Sequence, residues 1–426
     1  MDISEKLAAM SALRQKLGTV LSGVKGQATA GSSGAARNCV SGSLGETTGF
    51  GSDPGNLRMM SYVPAALPRK APLVVALHGC GQDATGFGHG SGWRELADRH
   101  HFALLLPEQR RANNPNACFS WFLDGDTRRD AGEAQSIRQM IAHMISTYSI
   151  DCDRIFITGL SAGGAMTSAM LACYPDVFAG GAIIAGLPFD GARNLQAALE
   201  TMRTARDYPA GKWGEAVLKA SEHRGRFPKI SVWHGTADAV VNPNNAEAIV
   251  KQWANVHRLP LTPSAKTKVS GHCRSVWRNG SGEDVIEYFA IAGMGHGVPL
   301  SPGYGTTGCG HVSVFYIDAG ISSACHIARF WGLADAPAMA EIEVPEMVRE
   351  RQDLGPRAHA RPASVPLHHT QTAQTAPQGS SGFVQDVITS ALSKAGLLVG
   401  PGTKLEPNDP RGVINAALRS AGLLKD

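Results

Sequence analysis

The sequence predicts an α/β fold built on a mostly parallel sheet, with helices covering both faces. Short apolar segments typical of strands alternate along the chain with amphipathic segments typical of helices. Because the strands are apolar throughout, both faces of the sheet must be covered. The predicted strands are 73–77, 102–107, 154–158, 180–186, 229–233 and 285–291, and the predicted helices lie near 93–98, 132–148, 162–173, 246–256 and 321–331.

The composition allows one large domain with appendages and argues against several classes of function. The chain has 426 residues, 43% of them hydrophobic, and a formal net charge of +4. It contains no long block of Lys and Arg, so we expect no nucleic-acid partner. No apolar run reaches the roughly 18 residues that a transmembrane helix needs, so we expect no membrane span. Nothing in the composition sets the oligomeric state.

The first residues differ from a secretory signal. Asp2 and Glu5 come first, and Arg14 and Lys16 interrupt the segment that would have to be apolar. We therefore expect a cytoplasmic location, with secretion by a non-standard route as the alternative.

Five parts are predicted along the chain. Apolar residues at three-to-four spacing predict an amphipathic helix over 1–30, and a Gly- and Ser-rich linker follows over 31–55. The alternating strand and helix pattern occupies 56–333, and a Pro-, Ala-, Gln- and Thr-rich linker covers 334–382. In 383–426, VITSALSKAGLL and VINAALRSAGLL agree at eight of twelve positions. These two predicted helices would pair, dock on the main domain, self-associate or bind an apolar surface.

The segment RIFITGLSAGGAM carries the strongest functional pattern. A strand leads into Gly-Leu-Ser-Ala-Gly, and a helix follows. This is the context of a nucleophile elbow, in which a sharp turn exposes Ser161 at the carboxyl end of the sheet. The sequence therefore predicts Ser161 as a catalytic nucleophile in an α/β-hydrolase fold.

A nucleophilic serine needs a base, and the base needs an acid that orients it. In this fold the acid and then the base follow the serine along the chain. Asp238 follows the strand ending at Trp233, and His296 lies in a glycine-lined loop after the strand ending near Ile291. We predict these two residues as acid and base. The competing acids are Asp190 and Asp284, and the competing bases are His311, His272 and His234.

The oxyanion that forms during ester hydrolysis needs two backbone N–H donors. The start of the helix after the elbow supplies Ala162, and the loop LHGCGQ after an early strand supplies the second donor. We predict Cys80 as that donor, with Gly81 as the alternative.

The eight cysteines show irregular spacing and no C-x-x-C pair. We therefore expect no zinc site and no other metal. A cytoplasmic location favours free thiols, although a bridge between Cys80 and Cys118 is an open alternative. We also expect no cofactor, because no phosphate loop or dinucleotide fingerprint occurs.

Three aromatic residues are predicted near the cleft. Trp93, Trp121 and Phe122 fall in loops or helix starts. They are candidates for stacking on an apolar polyester or a phenolic ring, or equally for the core.

Seven segments in order resemble the polyhydroxybutyrate depolymerase family of α/β-hydrolase esterases, which also contains feruloyl and acetylxylan esterases. They are LHGCGQ, SGWRELADRHHFALLLPEQ, NNPNACFSWF, RRDAGEAQSI, DRIFITGLSAGGAMTSAMLACYPDVFAGGAIIAGLPF, WHGTADAVV and GMGHGVPL.

The resemblance spans about 56–333. It implies the same Ser161, Asp238 and His296, and it implies that Cys80 lines the oxyanion loop. It implies hydrolysis of a short-chain poly- or oligo-3-hydroxyalkanoate ester. It does not cover the terminal segments, whose amphipathic pattern leads to the hypothesis that they contact a granule surface. The alternatives are a feruloyl or acetylxylan esterase and a non-catalytic granule-associated protein.

Overall fold

The computed structural model describes residues 42–302, 308–335 and 342–343. The predicted N-terminal helix (1–30) and C-terminal repeat (383–426) lie outside these residues. In the described part of the chain, no helix is long and apolar enough to cross a bilayer.

The described residues form an eleven-stranded sheet in the order β1-β2-β4-β3-β5-β6-β7-β10-β9-β8-β13 and a separate two-stranded sheet, β11-β12. The strands are β1 Ser43–Thr47, β2 Arg58–Val63, β3 Ala71–Leu77, β4 Ala103–Glu108, β5 Ile150–Leu160, β6 Gly180–Ile184, β7 Lys229–Gly235, β8 Ala265–Val269, β9 His272–Arg278, β10 Asp284–Ile291, β11 Val298–Leu300, β12 Tyr316–Asp318 and β13 Ile342–Glu343.

Parallel pairing is confined to the centre of the large sheet, from β4 through β3, β5, β6 and β7 to β10. The strands at both margins pair antiparallel. The predicted α/β-hydrolase fold is confirmed, with its parallel part at the centre.

Helices cover both faces of this sheet. They are α1 Ala84–Gly90, α2 Trp93–His100, α3 Gly132–Tyr148, α4 Ala162–Cys173, α5 Leu195–Thr204, α6 Ala210–Lys219, α7 Asn244–Val256 and α8 Ser323–Phe330. One apolar core includes residues of α3, α4 and α7, and the other includes residues of α1, α2 and α8.

The two cores follow from the period of two along each strand. In β3, Leu73, Val75 and Leu77 belong to one core, whereas Val74 and Ala76 belong to the other. A strand with polar residues at alternate positions would leave one of these cores without partners. This is why the central strands are apolar throughout.

The predicted linker boundaries were wrong in two places. β1 lies inside 31–55 and pairs antiparallel with β2, and β13 lies inside 334–382 and pairs with β8. The segment SLGET of β1 has only one large apolar residue, Leu44, which packs against the core. An edge strand of this kind is held by backbone pairing, which the hydrophobic pattern does not report.

Candidate active site

Ser161 lies between the end of β5 and the first residue of α4. Its backbone has φ 57° and ψ −116°, a conformation that is costly for a residue with a side chain. Its N–H donates to the Ile184 carbonyl oxygen of β6 at 2.9 Å, which fixes the turn to the neighbouring strand. The strand, the strained serine and the helix together have the geometry of a nucleophile elbow.

The glycines on either side of Ser161 are required by close backbone approach. A Cβ on Gly159 would meet the carbonyl oxygen of Gly163, and a Cβ on Gly163 would meet that of Leu77. Neither neighbour is a flexible side chain that can move aside. The two glycines therefore let β5, α4 and β3 approach closely enough to form the turn.

Asp238 and His296 are brought together by two loops that leave neighbouring strands. β7 pairs in parallel with β10, so both loops start at the same edge of the sheet. The loops are joined directly, because Ala237 N–H donates to the Met294 carbonyl oxygen at 3.0 Å. A Cβ on Gly235 would meet that same carbonyl oxygen. Glycine at the end of β7 therefore lets the two loops touch.

The Asp238 carboxylate is buried and accepts several hydrogen bonds. His296 Nδ1 donates to Oδ2 at 2.7 Å, and the backbone N–H groups of Val240 and Val241 donate to Oδ1 at 2.8 and 2.9 Å. Burial raises the pKa of Asp238, but hydrogen bonds from His234 and His296 outweigh it and hold the pKa well below its ordinary value. Asp238 is therefore ionised across the neutral range, and His296 presents Nε2 away from it.

Within the described residues, Ser161 Oγ and His296 share no hydrogen bond. The structure thus couples the predicted acid to the predicted base, and it places the serine on the same edge of the sheet. Hydrogen bonds between nucleophile and base often tighten only when a substrate is bound.

His234 is a site residue whose position sequence reasoning missed, since it was weighed only as a rival base. The ring is fully buried under Asp238. Its Nε2 lies 2.9 Å from the Val241 carbonyl oxygen and 3.3 Å from Asp238 Oδ2, while Nδ1 is buried without a partner. The proton therefore resides on Nε2, which donates it to the Val241 carbonyl oxygen in the loop that carries Asp238. The sequence signal is the histidine that directly precedes Gly235 at the end of β7.

The two competing acids, Asp190 and Asp284, lie in surface ion pairs. Asp190 Oδ1 accepts a hydrogen bond from Arg193 Nε at 2.8 Å. Asp284 begins β10, at the opposite end of that strand from His296, and pairs with Arg278 at 2.8 Å.

The other rival bases have different partners. His311 Nδ1 lies 3.4 Å from Glu95, and its ring stacks on His89 with centroids 4.0 Å apart. His272 Nε2 donates to the Ala319 carbonyl oxygen at 2.8 Å. Neither ring contacts Asp238.

The loop after β3 contains the predicted oxyanion donor. Cys80 N–H has no acceptor among the described residues, whereas Gly81 N–H donates to the Asn116 carbonyl oxygen at 2.7 Å. Cys80 is joined by a disulfide bond to Cys118. The expectation of free thiols was therefore wrong for this pair, because the loops after the adjacent strands β3 and β4 meet at one edge of the sheet. Ala162, the first residue of α4, directs its N–H out of the helix start.

A buried carboxyl group holds the loop after β4, which the disulfide joins to the loop of Cys80. Glu133 accepts hydrogen bonds from Gln109 Nε2 and from Ser120 N–H, the latter at 2.9 Å. Gln109 Nε2 also donates to the Cys118 carbonyl oxygen at 3.2 Å. Burial raises the pKa of Glu133 to about 7, with the hydrogen bond from Ser120 N–H opposing it. Glu133 is the second residue of α3, where an acidic side chain also suits the helix dipole.

The three predicted substrate aromatics divide into two groups. Trp93 is fully buried and stacks on Trp331 with ring centroids 5.6 Å apart, so its prediction as a substrate contact was wrong. It begins α2 on the face that packs against the sheet. Trp121 and Phe122 form an edge-to-face pair with centroids 5.5 Å apart, in an apolar cluster that also contains Ala162.

That cluster, which we call the acyl cluster, surrounds the helix start beside Ser161. It contains buried Trp121, Ala162, Ala165, Leu187, Ala192, Ala198 and Val241, with Cys80, Cys118, Phe122, Ala197, Met202 and Val240 packed against it. Its members include Cys80 of the loop after β3, Ala162 at the start of α4, and Val240 and Val241 of the loop that carries Asp238. Across the described residues, no group of three or more His, Cys, Asp or Glu side chains is placed to hold a metal ion.

Comparison with known proteins identifies the family. The model of the family described as Esterase PHB depolymerase matches residues 57–274. The chain belongs to this family of esterases. It is a carboxylester hydrolase, as the resemblance of its sequence motifs implied.

Curated relatives carry several kinds of ester hydrolase. The chain is 42% identical to a poly(3-hydroxyalkanoate) depolymerase C of Paucimonas lemoignei over 68% of this chain and 70% of the relative. It is 33% identical to a feruloyl esterase B of Talaromyces stipitatus over 60% of this chain and 73% of the relative. An acetyl xylan esterase from Aspergillus awamori superposes with a TM-score of 0.58 at 24% identity, covering 69% of this chain and all of that one. The last comparison shows the shared fold.

Proposed function

We propose that this esterase hydrolyses poly- or oligo-3-hydroxybutyrate with Ser161, His296 and Asp238 as its catalytic residues. The observation that carries the proposal is the 2.7 Å hydrogen bond from His296 Nδ1 to a buried, ionised Asp238 at the sheet edge that presents Ser161. The similarity to the poly(3-hydroxyalkanoate) depolymerase supports the choice of substrate.

The reaction follows from these positions. Ser161 Oγ attacks the ester carbonyl carbon while His296 Nε2 takes its proton, and Asp238 holds the imidazole and stabilises its positive charge. The N–H groups of Cys80 and Ala162 bind the oxyanion. His296 then gives the proton to the departing alcohol oxygen. A water molecule, deprotonated by the same imidazole, releases the 3-hydroxybutyrate acid from Ser161.

The acyl cluster suits a small aliphatic acyl group. Apart from Trp121 and Phe122 its members are aliphatic residues, one methionine and two cysteines, so it offers apolar surface and no charged side chain to a hydroxybutyryl unit.

A feruloyl ester is the second candidate substrate, and acetylated xylan is the third. The edge-to-face pair of Trp121 and Phe122 favours the first of these, because a phenolic ring could stack on either residue. The feruloyl esterase relatives, at 31 to 33% identity, support the same alternative.

The experiment has two parts. The first compares kcat/KM for 3-hydroxybutyrate oligomers, methyl ferulate and acetylated xylan, and a preference for either of the last two would reject the proposed substrate. The second measures hydrolysis of p-nitrophenyl butyrate by Ser161→Ala, which should abolish turnover. The matched control is Ser281→Ala on the surface. Unchanged turnover in Ser161→Ala would reject Ser161 as the nucleophile. A lack of hydrolysis by the unaltered protein would favour the alternative of a non-catalytic granule-associated protein.

We also propose that the C-terminal repeat binds a polyester granule surface, as its amphipathic sequence pattern suggests. A variant lacking 383–426 should sediment less with amorphous granules while retaining kcat on soluble oligomers. Equal sedimentation of both proteins would reject this role. The cytoplasmic location stays a prediction from the N-terminal composition.

A further inference from the structure

Cys309 and Cys325 are a second pair of facing cysteines, in the core on the sheet face covered by α1, α2 and α8. Their Sγ atoms lie 3.3 Å apart, and Cys309 Sγ lies 3.2 Å from Ser322 Oγ. Both residues are buried. A covalent disulfide has a bond of about 2.05 Å, so a short movement would join the two sulfur atoms.

The surroundings favour reaction at one of the two sulfurs. Cys325 is the third residue of α8, where Ser322 Oγ caps the helix by accepting the Cys325 N–H at 3.3 Å. The start of a helix favours a thiolate. Contact with Cys309 lowers the pKa of Cys325, and the same contact together with burial raises the pKa of Cys309. Cys325 is therefore the sulfur that attacks first.

We propose that Cys309 and Cys325 form a disulfide bond. The oxidant is a small disulfide such as glutathione disulfide, or an oxidised dithiol oxidoreductase. The Cys325 thiolate attacks one sulfur of that disulfide and releases one thiolate. The Cys309 thiol then loses its proton and displaces the second thiolate from the mixed disulfide. In total, two protein thiols and one small disulfide become one protein disulfide and two small thiols.

The bond would fasten the segment 308–315 to α8. Cys309 packs closely against Gly92, since a Cβ added to Gly92 would lie 2.6 Å from Cys309 Sγ. At the other end of this segment, the Phe315 ring meets His296 edge to face with centroids 6.1 Å apart, and the Phe315 carbonyl oxygen accepts Val298 N–H at 2.8 Å. The cross-link would therefore secure the segment that packs beside His296. The pairing itself does not depend on the proposed ester chemistry.

The test is a thiol map of the full chain. The protein is equilibrated with glutathione disulfide, denatured in N-ethylmaleimide and digested with trypsin. No Lys or Arg occurs between Arg278 and Arg329, so one peptide, 279–329, carries both cysteines and no others. We expect this peptide to be two hydrogens lighter than its reduced form and to carry no maleimide. Reduction before alkylation should add two maleimide groups to it.

The digest contains its own positive control, because Cys80 and Cys118 should appear as a cross-linked peptide pair. Two maleimide groups on 279–329 in the same digest, or one maleimide and one glutathione, would overturn the proposal. Cys325→Ser should leave Cys309 with one maleimide. The matched variant Cys273→Ser removes an exposed free cysteine and should leave the peptide oxidised.

Discussion

Replacing His234 tests whether its hydrogen bond to the Val241 carbonyl oxygen holds the loop that carries Asp238 in place. In His234→Leu the single Nε2–H is lost, which donates to the Val241 carbonyl oxygen at 2.9 Å and lies 3.3 Å from Asp238 Oδ2. A hydrogen bond to a charged group contributes about 1.5 kcal/mol at the weak end of its range, which suits the longer distance. We expect kcat to fall about tenfold while KM stays within about twofold.

The pH profile gives a readout that packing alone would not change. Hydrogen bonds from His234 and His296 hold the pKa of Asp238 below its ordinary value against burial, which raises it. Without one donor this pKa must rise, so Asp238 takes up a proton at a higher pH. The loss of activity that follows protonation of Asp238, at the acid end of the kcat/KM profile, should therefore begin at a higher pH in His234→Leu.

Two variants separate this role from simple stability. His234→Gln keeps an N–H donor at the length of Nε2 and should restore most of kcat and the original acid limb. His257→Leu removes another histidine that bonds a backbone carbonyl oxygen, that of Pro228 at 3.0 Å, and should lower only the free energy of unfolding. If the Gln and Leu variants lost equal activity with the same pH profile, the hydrogen-bond argument would be refuted.

Three further predictions concern the aromatic residues, the elbow and the buried carboxyl group. Trp93→Ala should lower the free energy of unfolding by about 3 to 5 kcal/mol with KM unchanged, as measured by denaturant unfolding and steady-state kinetics. Trp121→Ala should instead raise KM about fivefold. The reverse pattern would contradict the assignment of Trp93 to the core. Gly159→Ala should lower the free energy of unfolding by about 3 kcal/mol because its Cβ meets a carbonyl oxygen, whereas Gly211→Ala, where a Cβ meets no atom within 4 Å, should not lower it. Burial raises the pKa of Glu133 to about 7, so its contribution to stability is present below the ordinary value of 4.5 and is lost as pH rises through about 7. In Glu133→Gln about 3 kcal/mol of this pH dependence should disappear between about pH 5 and about pH 8, as measured by denaturant unfolding.

The central strands were predictable because their burial leaves a direct trace in the sequence. β3 and β4 are buried at every position and are apolar at nearly every one. β8, with the sequence AKTKV, lies near a margin and alternates exposed lysines with buried Thr267 and Val269. Its place in the sheet depends on backbone pairing with β9. The composition of a short polar segment does not predict such pairing.

The order of Ser161, Asp238 and His296 was predictable for a topological reason. β5, β6, β7 and β10 are consecutive parallel neighbours, so loops at their carboxyl ends share one edge of the sheet. Any acid or base placed just after these strands therefore lies near the elbow.

The supporting contacts were not predictable because they join residues distant in the chain. Glu133 reaches Gln109, 24 residues away, and Ser120 N–H, 13 residues away. Its position at the start of a helix already provides a sufficient local reason for an acidic residue, so the sequence offers no sign of the second role.

The Cys80–Cys118 disulfide differs from what a cytoplasmic location predicts for these two cysteines. The N-terminal composition predicts a cytoplasmic enzyme, and reducing compartments keep thiols reduced. The structure nevertheless joins Cys80 to Cys118 and adds the hydrogen bond from Gly81 N–H to Asn116 between the same loops. A cross-link at this place holds the loop whose Cys80 N–H would bind the oxyanion, so its loss would loosen an oxyanion donor as well as the fold. A reducing compartment would therefore weaken the support of this loop, and the location of the protein stays a prediction from its sequence.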